Sequence, residues 1–324
     1  MAVTLKAAKG SRAFSRAIGF AGSAICLLVL FHTPLMKVVS LALASGHDAD
    51  QYSQVVLIPI VAAYLILRQR KRIFAETDLA AIPGISVLVG GVFVFLVAEF
   101  ARGILNQSDY LSALMASLVV LQIGTFVLWF GTRAFRLARF PLLTLILMVP
   151  FPTRLLDATV RSLQAGSALV TTLLLNLTGV PFVREGLVFH LPHNLNIFIA
   201  EDCSGIRSSI ALLIASLVAS DVFLRKGWTK LVLNLAVLPL SLFKNGLRIA
   251  TLSLLSVYVD RRFISGDLHR DGGIVFYLIA SAILGIILWQ LRRAEKVPPV
   301  PQLSRKDHGT ALEHPEASLK EQTT

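Results

Sequence analysis

Long apolar runs separated by short clusters of arginine and lysine fill most of this chain, and they restrict its fold more than any other feature. A helix that crosses a bilayer needs about 20 mostly apolar residues, and runs of about that length recur along the 324 residues. Hydrophobic residues make up 55% of the chain and charged residues 15%, whereas soluble domains have about 45–50% and about 25%. The composition excludes a soluble globule and a disordered chain, and it predicts a protein that uses lipid as its solvent.

We predict an all-α, multi-pass membrane protein with about eight transmembrane helices. The predicted spans are 18–44 (kinked near Pro34), 54–68, 83–101, 110–131, 138–153, 206–224, 229–259 (interrupted) and 272–291. The basic clusters follow the positive-inside rule, which places the loops that carry them in the cytoplasm. These clusters are the start of the chain and residues 68–72, 133–139, 225–230 and 292–296. Both termini are then cytoplasmic.

The segment 154–178 does not fit this scheme as a span, because every later loop would change sides. We predict an interfacial or partly embedded helix there, on the outer side. Residues 180–202 alternate apolar and polar side chains around a Leu-Pro-His-Asn break, which predicts a short extracytoplasmic β-hairpin. The domain organisation is then an integral membrane domain over 1–295, with its core at about 51–291, and a disordered cytoplasmic tail over 296–324.

The net charge of +12 is explained by these loop clusters, and no basic stripe interleaved with aromatic residues indicates nucleic-acid binding. Two cysteines, Cys26 and Cys203, exclude a disulfide framework and a cysteine-rich metal site. We expect no cofactor and no metal.

The first polar cluster surrounds Cys203, in the segment AEDCSGIRSS at 200–209. Cys203 precedes an apolar helix, whose positive N-terminal end favours a thiolate, and Arg207 adds positive charge while Asp202 opposes it. The alternative is an ordinary buried thiol, with Asp202 or Ser204 as the helix cap.

The second cluster is FKNGLRIATLS at 243–253, where Asn245 and Arg248 share one face of an apolar helix. Gly246 allows another backbone or a substrate to approach closely. The guanidinium of Arg248 is able to neutralise an oxyanion or to bind a carboxylate. Alternatively, Arg248 extends to the membrane interface or pairs with an acid such as Asp202, Glu201 or Asp260.

The third cluster contains His269, just before the last span, while His190 and His193 in the predicted hairpin are competing histidines. Together the clusters suggest a thiol acyl-transfer site at the outer membrane face. In this scheme Cys203 attacks a peptide carbonyl, His269 transfers the proton and Arg248 stabilises the oxyanion.

These clusters resemble the exosortase/archaeosortase family. Its Cys-Ser-Gly-Ile/Leu-Arg pattern is matched by CSGIR at 203–207, its Asn-x-x-Arg pattern by NGLR at 245–248, and its histidine segment by HRDGGIVF at 269–276. Segments at 51–72, 140–152 and 179–192 are also similar to the family. The resemblance implies that the catalytic residues are Cys203, Arg248 and His269. The remaining motif positions are supporting residues: Ser204, Gly205, Arg207 and Asn245.

The resemblance further implies a bacterial cytoplasmic-membrane cysteine protease or transpeptidase. Its partners would be membrane-anchored precursor proteins whose C-terminal sorting signals consist of a short motif, a transmembrane helix and a basic tail. An exopolysaccharide or another acceptor is a further implied partner. From the residues alone, two other functions remain: a non-catalytic membrane component of polysaccharide export or assembly, and a transporter in which Arg248 binds an anionic substrate.

Overall fold

The computed structural model describes residues 2–43, 52, 54–75, 78–200, 205–260, 263 and 273–295. Within these residues the protein is mostly helical and has one small antiparallel sheet. The helices are α1 (Ala2–Leu30), α2 (His32–Leu43), α3 (Gln54–Arg68), α4 (Arg70–Ile73), α5 (Ala81–Phe100), α6 (Gln107–Thr144), α7 (Thr153–Thr178), α8 (Ile206–Phe223), α9 (Gly227–Leu235), α10 (Val237–Tyr258) and α11 (Gly273–Ala294). The strands are β1 (Val183–Glu185), β2 (Val188–Leu191) and β3 (Leu195–Phe198), and a 3₁₀ helix, Leu145–Met148, follows α6.

The described residues confirm a multi-pass membrane protein. Five helical stretches among them are long and apolar enough to cross a bilayer: Ala81–Phe100, Gln107–Met148, Ile206–Phe223, Gly227–Tyr258 and Gly273–Ala294. The α1–α2 pair, bent by 71°, is a sixth if it forms one broken span. The prediction of eight spans is not confirmed, and the predicted span at 54–68 is the 15-residue helix α3, which is shorter than a crossing requires.

Helix α6 folds back on itself at Gly131. This glycine has φ 86° and ψ 169°, and a Cβ at this position would overlap the carbonyl oxygen of Asp78. The backbone N–H of Thr153 donates to Asp109 Oδ1 at 2.6 Å, so the chain returns to the start of α6. The two arms correspond to the predicted spans 110–131 and 138–153. The basic residues 133–139 are helical rather than a loop, because Arg, Ala and Leu favour helix and only Gly131 interrupts it.

Residues from two predicted cytoplasmic clusters meet at one end of the bundle, which we call the basic end. Gln69 donates to Asp221 Oδ2 at 3.0 Å, and Lys230 Nζ pairs with Asp221 Oδ1 at 2.8 Å. Arg68 donates to the carbonyl oxygen of Val222 at 3.2 Å. These contacts join the end of α3 to the end of α8 and to α9.

Glu295, the first residue after α11, joins a third basic cluster to the same loop. Its carboxylate accepts the backbone N–H groups of Arg225 and Lys226, each at 2.8 Å, and the hydroxyl of Thr229. Partial desolvation raises the pKa of Glu295, but these hydrogen bonds outweigh it and hold the pKa below its usual range. The carboxylate therefore acts as a cap before α9.

Helix α8 runs antiparallel to the pair α9–α10. Ser216 donates to Asn234 Oδ1 at 2.6 Å midway along α8, and Lys244 of α10 donates to Ser208 at the first turn of α8. The 18 residues of α8 correspond to about 27 Å. The first turn of α8 is therefore separated from the basic end by nearly the thickness of a bilayer core.

Helix α7 packs against α10 through one face. Its buried residues are Gln164, Ser167, Ala168, Thr171 and Leu175. The prediction of a helix at 154–178 is confirmed. This helix is not among the candidate spans in the described part of the chain. Its interfacial placement on the outer side stays a prediction.

The predicted β-hairpin is instead a three-stranded antiparallel sheet in the order β1-β2-β3. Two tight turns connect the strands, one with Gly186 at φ 63° and one with His193 and Asn194 at φ 62° and 53°. Phe189 and Ile199 are buried in a cluster with side chains of α7 and α10. The sheet therefore lies against the same two helices and leads directly into the segment that precedes α8.

Candidate functional site

Three helices meet near Gly205, the residue that precedes α8, and they form the candidate site. Helix α10 carries the residues of the NGLR motif, α8 begins beside them, and α7 packs against α10 from the other side. The predicted residues Cys203, Ser204 and His269 lie outside the described residues. Of the other predicted site residues, the structure describes Gly205, Arg207, Asn245 and Arg248.

Gly205 is packed directly against α10. It lies in the left-handed region, with φ 68° and ψ 21°, a conformation that favours glycine. A Cβ at Gly205 would lie 3.1 Å from Asn245 Oδ1 and 3.4 Å from Lys244 Nζ. Gly205 is therefore required both by its backbone conformation and by its closeness to these two side chains.

Asn245 connects this turn to α7. Its side chain is 1% exposed, and its Nδ2 donates to Ser167 Oγ at 3.0 Å. The same side chain faces Gly205 through Oδ1. A buried amide that spans two elements fixes their relative position, because leaving it unpaired costs more free energy than the bond contributes. The structure brings together Asn245 and Gly205, two of the predicted supporting residues.

Gly246 brings α10 and α7 into close contact. A Cβ at Gly246 would lie 2.6 Å from Val170 Cβ and 3.1 Å from the carbonyl oxygen of Ser167. The hydroxyl of Thr171 donates to the carbonyl oxygen of Gly246 at 3.3 Å. Small residues at helix interfaces allow this approach between membrane helices. The sequence analysis expected another backbone or a substrate to approach closely at Gly246. In the structure, the group that approaches is α7, through its backbone and side chains.

Lys244 is buried beside the turn that begins α8. It is 5% exposed, and its ammonium donates to the hydroxyl of Ser208. Within the described part of the chain no carboxylate forms an ion pair with it. Arg248, half-buried, lies four residues further along α10, on the same helix face. Helix α10 therefore contributes two basic side chains, Lys244 and Arg248, to this part of the structure.

The sequence interpretation missed Lys244 and the polar face of α7. Lys244 stands next to the motif asparagine, but a lysine in an apolar run is commonly a cation that extends to the interface. Gln164 and Ser167 lie in the segment interpreted as interfacial. The polar residues of that segment recur at helical spacing, a pattern that indicates a face packed against another polar helix.

Gln164 holds the other side of the undescribed segment. Its Nε2 donates to the carbonyl oxygen of Ile199 at 2.9 Å, and Ile199 is 1% exposed. The chain is thus attached to α7 at Ile199 and packed against α10 at Gly205. Residues 201–204, which include the predicted nucleophile, connect these two attachment points.

The competing histidines lie in the sheet. His190 Nδ1 lies 2.8 Å from Asn196 Oδ1, and its Nε2 lies 3.6 Å from Glu185 Oε2. Both of these contacts of His190 are with the neighbouring strands, β3 and β1. His193 lies in the β2–β3 turn. Arg207, the first-turn arginine of α8, is exposed and so faces away from the packed side of that helix.

Among the described residues, no group of three His, Cys, Asp or Glu side chains is arranged to hold a metal ion. The contacts described above include hydrogen bonds between neutral side chains, and α10 also carries Lys244 and Arg248. Chemically, such a site is able to stabilise negative charge on a sulfur or on an oxygen.

Comparison with known proteins identifies the family. A search of curated proteins and a search of solved structures give no match. The family model for transmembrane exosortases matches residues 44–286, about three quarters of the chain. The matched range contains positions 203, 245–248 and 269. The chain belongs to the transmembrane exosortase family.

Proposed function

We propose that this protein is a membrane-embedded cysteine protease or transpeptidase that cleaves the C-terminal sorting signals of exported proteins. Cys203 is the nucleophile, His269 transfers protons and Arg248 stabilises the oxyanion. The observation that carries the proposal is the packing of Gly205, two residues after Cys203, against Lys244 and Asn245 of the helix that bears Arg248.

Chain geometry supports this assignment. A polypeptide advances at most about 3.6 Å per residue, so the chain connects Gly205 to residue 203 over about 7 Å at most. Arg248 follows Lys244 by four residues, about one helical turn or 6 Å along the axis. The motif cysteine and the motif arginine therefore belong to one neighbourhood, although 45 positions separate them in the sequence.

The reaction begins when His269 takes the thiol proton of Cys203 and the sulfur attacks the carbonyl carbon of the peptide bond that is cleaved. The C–S bond forms, and the carbonyl electron pair becomes an oxyanion that the guanidinium of Arg248 neutralises. Collapse of this intermediate breaks the C–N bond, and His269 delivers a proton to the leaving amine. Water or an acceptor amine then attacks the thioester, which releases the thiolate and completes hydrolysis or transfer.

The substrates are membrane-anchored precursor proteins that end in a short motif, a transmembrane helix and a basic tail. A substrate anchored in the same bilayer meets the site by lateral diffusion, and its basic tail stays on the cytoplasmic side. We place the protein in the cytoplasmic membrane with both termini in the cytoplasm and the site at the extracytoplasmic face. The site then lies opposite the basic end. An exopolysaccharide or another acceptor receives the processed protein, which links the activity to exopolysaccharide production.

The experiment that tests this function is the replacement of Cys203 by alanine in the full chain. A tagged protein from the same organism that ends in the three-part signal serves as the reporter. Cys203→Ala should leave the reporter uncleaved and in the membrane, while Cys26→Ala should process it normally, because Cys26 is exposed on α1. Normal processing by Cys203→Ala would instead favour a non-catalytic membrane component or a transporter.

The orientation is tested in the same Cys26→Ala background with a thiol reagent that does not cross membranes. Reagent added from outside should label Cys203 in intact spheroplasts. Labelling that occurs only after the cytoplasmic side is opened would contradict the proposed orientation.

A further inference from the structure

Two basic segments lie side by side at the basic end, and the proposed function gives their side chains no role. The carboxylate of Glu295 accepts the backbone N–H groups of Arg225 and Lys226, each at 2.8 Å, so it attaches the end of α11 to the loop before α9. Each segment carries a pair of exposed cations. We call these four residues the basic seam: Arg225, Lys226, Arg292 and Arg293.

Aromatic rings line the basic seam. The guanidinium carbon of Arg292 lies 5.8 Å from the ring centroid of Phe223, at the end of α8, and that of Arg293 lies 4.1 Å from the ring centroid of Trp289. Both distances are within the range of a cation–π contact, about 6 Å. Trp289 and Trp228 are 53% and 56% exposed. The seam therefore presents cations and accessible apolar rings together.

The basic seam lies where candidate membrane spans begin and end. The spans Ile206–Phe223 and Gly273–Ala294 end there, and the span Gly227–Tyr258 begins there. Trp289 precedes Arg293 by four residues, about 6 Å along α11, so the tryptophan lies on the membrane side of the cations. Tryptophan and basic residues are both typical of the membrane–water interface. The cations of the seam therefore stand at the level of the lipid headgroups.

The acids near the basic seam leave it with an excess of positive charge. The carboxylate of Glu295 already accepts two backbone N–H groups and the hydroxyl of Thr229. Asp221, another acid at the basic end, pairs with Lys230 and accepts a hydrogen bond from Gln69. Among the described residues of the two basic segments, four cations therefore accompany one carboxylate.

A phosphate that is attached to acyl chains fits this combination of groups. Guanidinium groups bind phosphate oxygens in a planar, bidentate geometry, and an ammonium binds them as a point charge. A dissolved phosphate would contact the cations alone, whereas a lipid also covers the exposed rings of Trp228 and Trp289. A headgroup without its own ammonium is preferred, because the four cations repel a second positive charge.

We propose that the basic seam binds the headgroup phosphate of an anionic phospholipid, whose acyl chains lie against Trp228 and Trp289. The site is separate from the candidate active site and does not depend on the proposed function. The bound lipid joins α11 to the loop before α9, as Glu295 does. Each basic residue near an anionic lipid surface strengthens binding by a factor of about five.

The test measures which lipid lies next to the tryptophans of the full chain. The protein is placed in bilayers of phosphatidylcholine that contain a small, equal fraction of either phosphatidylglycerol or phosphatidylcholine with brominated acyl chains, which quench tryptophan fluorescence on contact. Each signal is divided by that of the same variant without brominated lipid. Trp129 lies between α1 and α6, where it donates to Ser23, and gives a common background. The parent chain should prefer phosphatidylglycerol at least about fivefold.

Three variants separate a built site from a diffuse positive field. Arg292→Gln combined with Arg293→Gln should abolish the preference. Arg70→Gln combined with Lys71→Gln removes an exposed basic pair from α4 at the same end and should leave the preference unchanged. Glu295→Ala keeps all four cations but removes the carboxylate that aligns them. A diffuse field would then bind phosphatidylglycerol more tightly, whereas the basic seam should bind it more weakly.

The inference is overturned if the parent chain is quenched equally by the two brominated lipids. It is also overturned if the Arg292 and Arg293 double variant keeps the preference, if the α4 double variant loses it as well, or if Glu295→Ala increases it. Displacement of the lipid by an excess of dissolved glycerol phosphate would show a site for a soluble anion and would contradict the lipid assignment. If Glu295→Ala does not fold, the two double variants carry the test.

Discussion

Replacement of Gly205 by alanine tests the packing of the site most directly. Gly205 has a left-handed backbone and lies against Asn245 and Lys244. Gly179, the residue after α7, offers a matched control: its φ is 72° and its ψ 8°, and a Cβ there would meet nothing within 4 Å. The two substitutions therefore share the backbone penalty and differ in the contact with α10.

The magnitudes follow from this comparison. A left-handed alanine costs roughly 1–2 kcal/mol, and the stiffer unfolded chain offsets about 0.4–1 kcal/mol of it. Gly179→Ala should then lower the free energy of unfolding by about 1 kcal/mol. In Gly205→Ala the Cβ would lie 3.1 Å from Asn245 Oδ1 and 3.3 Å from its Cγ. Such overpacking adds about 1–3 kcal/mol, which gives a total of about 2–4 kcal/mol.

Two measurements check this prediction. Denaturant or thermal unfolding of the purified chain in detergent, followed by tryptophan fluorescence, compares the stabilities. Processing of the tagged reporter in membranes compares the activities. We expect Gly205→Ala to be less stable than Gly179→Ala and to lose most processing, while Gly179→Ala processes the reporter at close to the parent rate.

Equal stability and equal processing of the two variants would refute the reasoning. That result would mean that Gly205 has room for a side chain, and that the α10 motif does not contact the start of α8. A loss of stability in Gly205→Ala with full processing would leave the packing in place but would separate it from the active site.

Two further predictions concern packing and pH. Gly246→Ala should destabilise the protein by about 1–3 kcal/mol, because the added Cβ would overlap Val170. At Gly285 an added Cβ would meet nothing within 4 Å. Gly285→Ala should therefore raise the free energy of unfolding by up to about 1 kcal/mol, because alanine has the higher helix propensity. Equal melting temperatures of this pair would contradict close α7–α10 contact. The pKa of Glu295 is lowered in the folded protein. Its carboxylate therefore stabilises the fold fully at pH values above the ordinary glutamate pKa of about 4.3. This stabilisation is lost as the pH falls through the lowered pKa. Glu295→Gln should therefore lower the melting temperature at neutral pH but not in acid, and a pH-independent difference would show that the charge is not the cause.

The hydropathy pattern predicted the helices well but not how they are joined. A basic cluster between two apolar runs indicated a loop at 133–139, yet the chain reverses at the single residue Gly131. Averages over a window of about 20 residues do not resolve a one-residue break. A turn was missed in the sheet as well. The prediction used the Leu-Pro-His-Asn break as the turn of a hairpin and did not use Gly186, which is also a turn signal.

The sequence indicated two residues that the structure brings together, but it did not indicate the contacts that hold them. Asn245 and Gly205 were identified from short patterns, and the structure brings them together. Ser167 accepts a hydrogen bond from Asn245, which is 78 positions away in the sequence. The residues around Ser167 in the sequence do not indicate this contact. Lys244 was missed because burial against another helix, rather than sequence neighbours, decides whether a lysine extends to the interface or stays inside.

The bond between Ser167 and Asn245 has a consequence for the biogenesis of the protein. Ribosomes add about 5–20 residues per second, so the 78 positions between the two residues correspond to about 4–16 s of synthesis. During this interval α7 has emerged with its polar face, but the helix that covers this face has not been made. In a nascent chain that stalls before Val237, that polar face is therefore not covered by α10, and the Asn-x-x-Arg motif is missing.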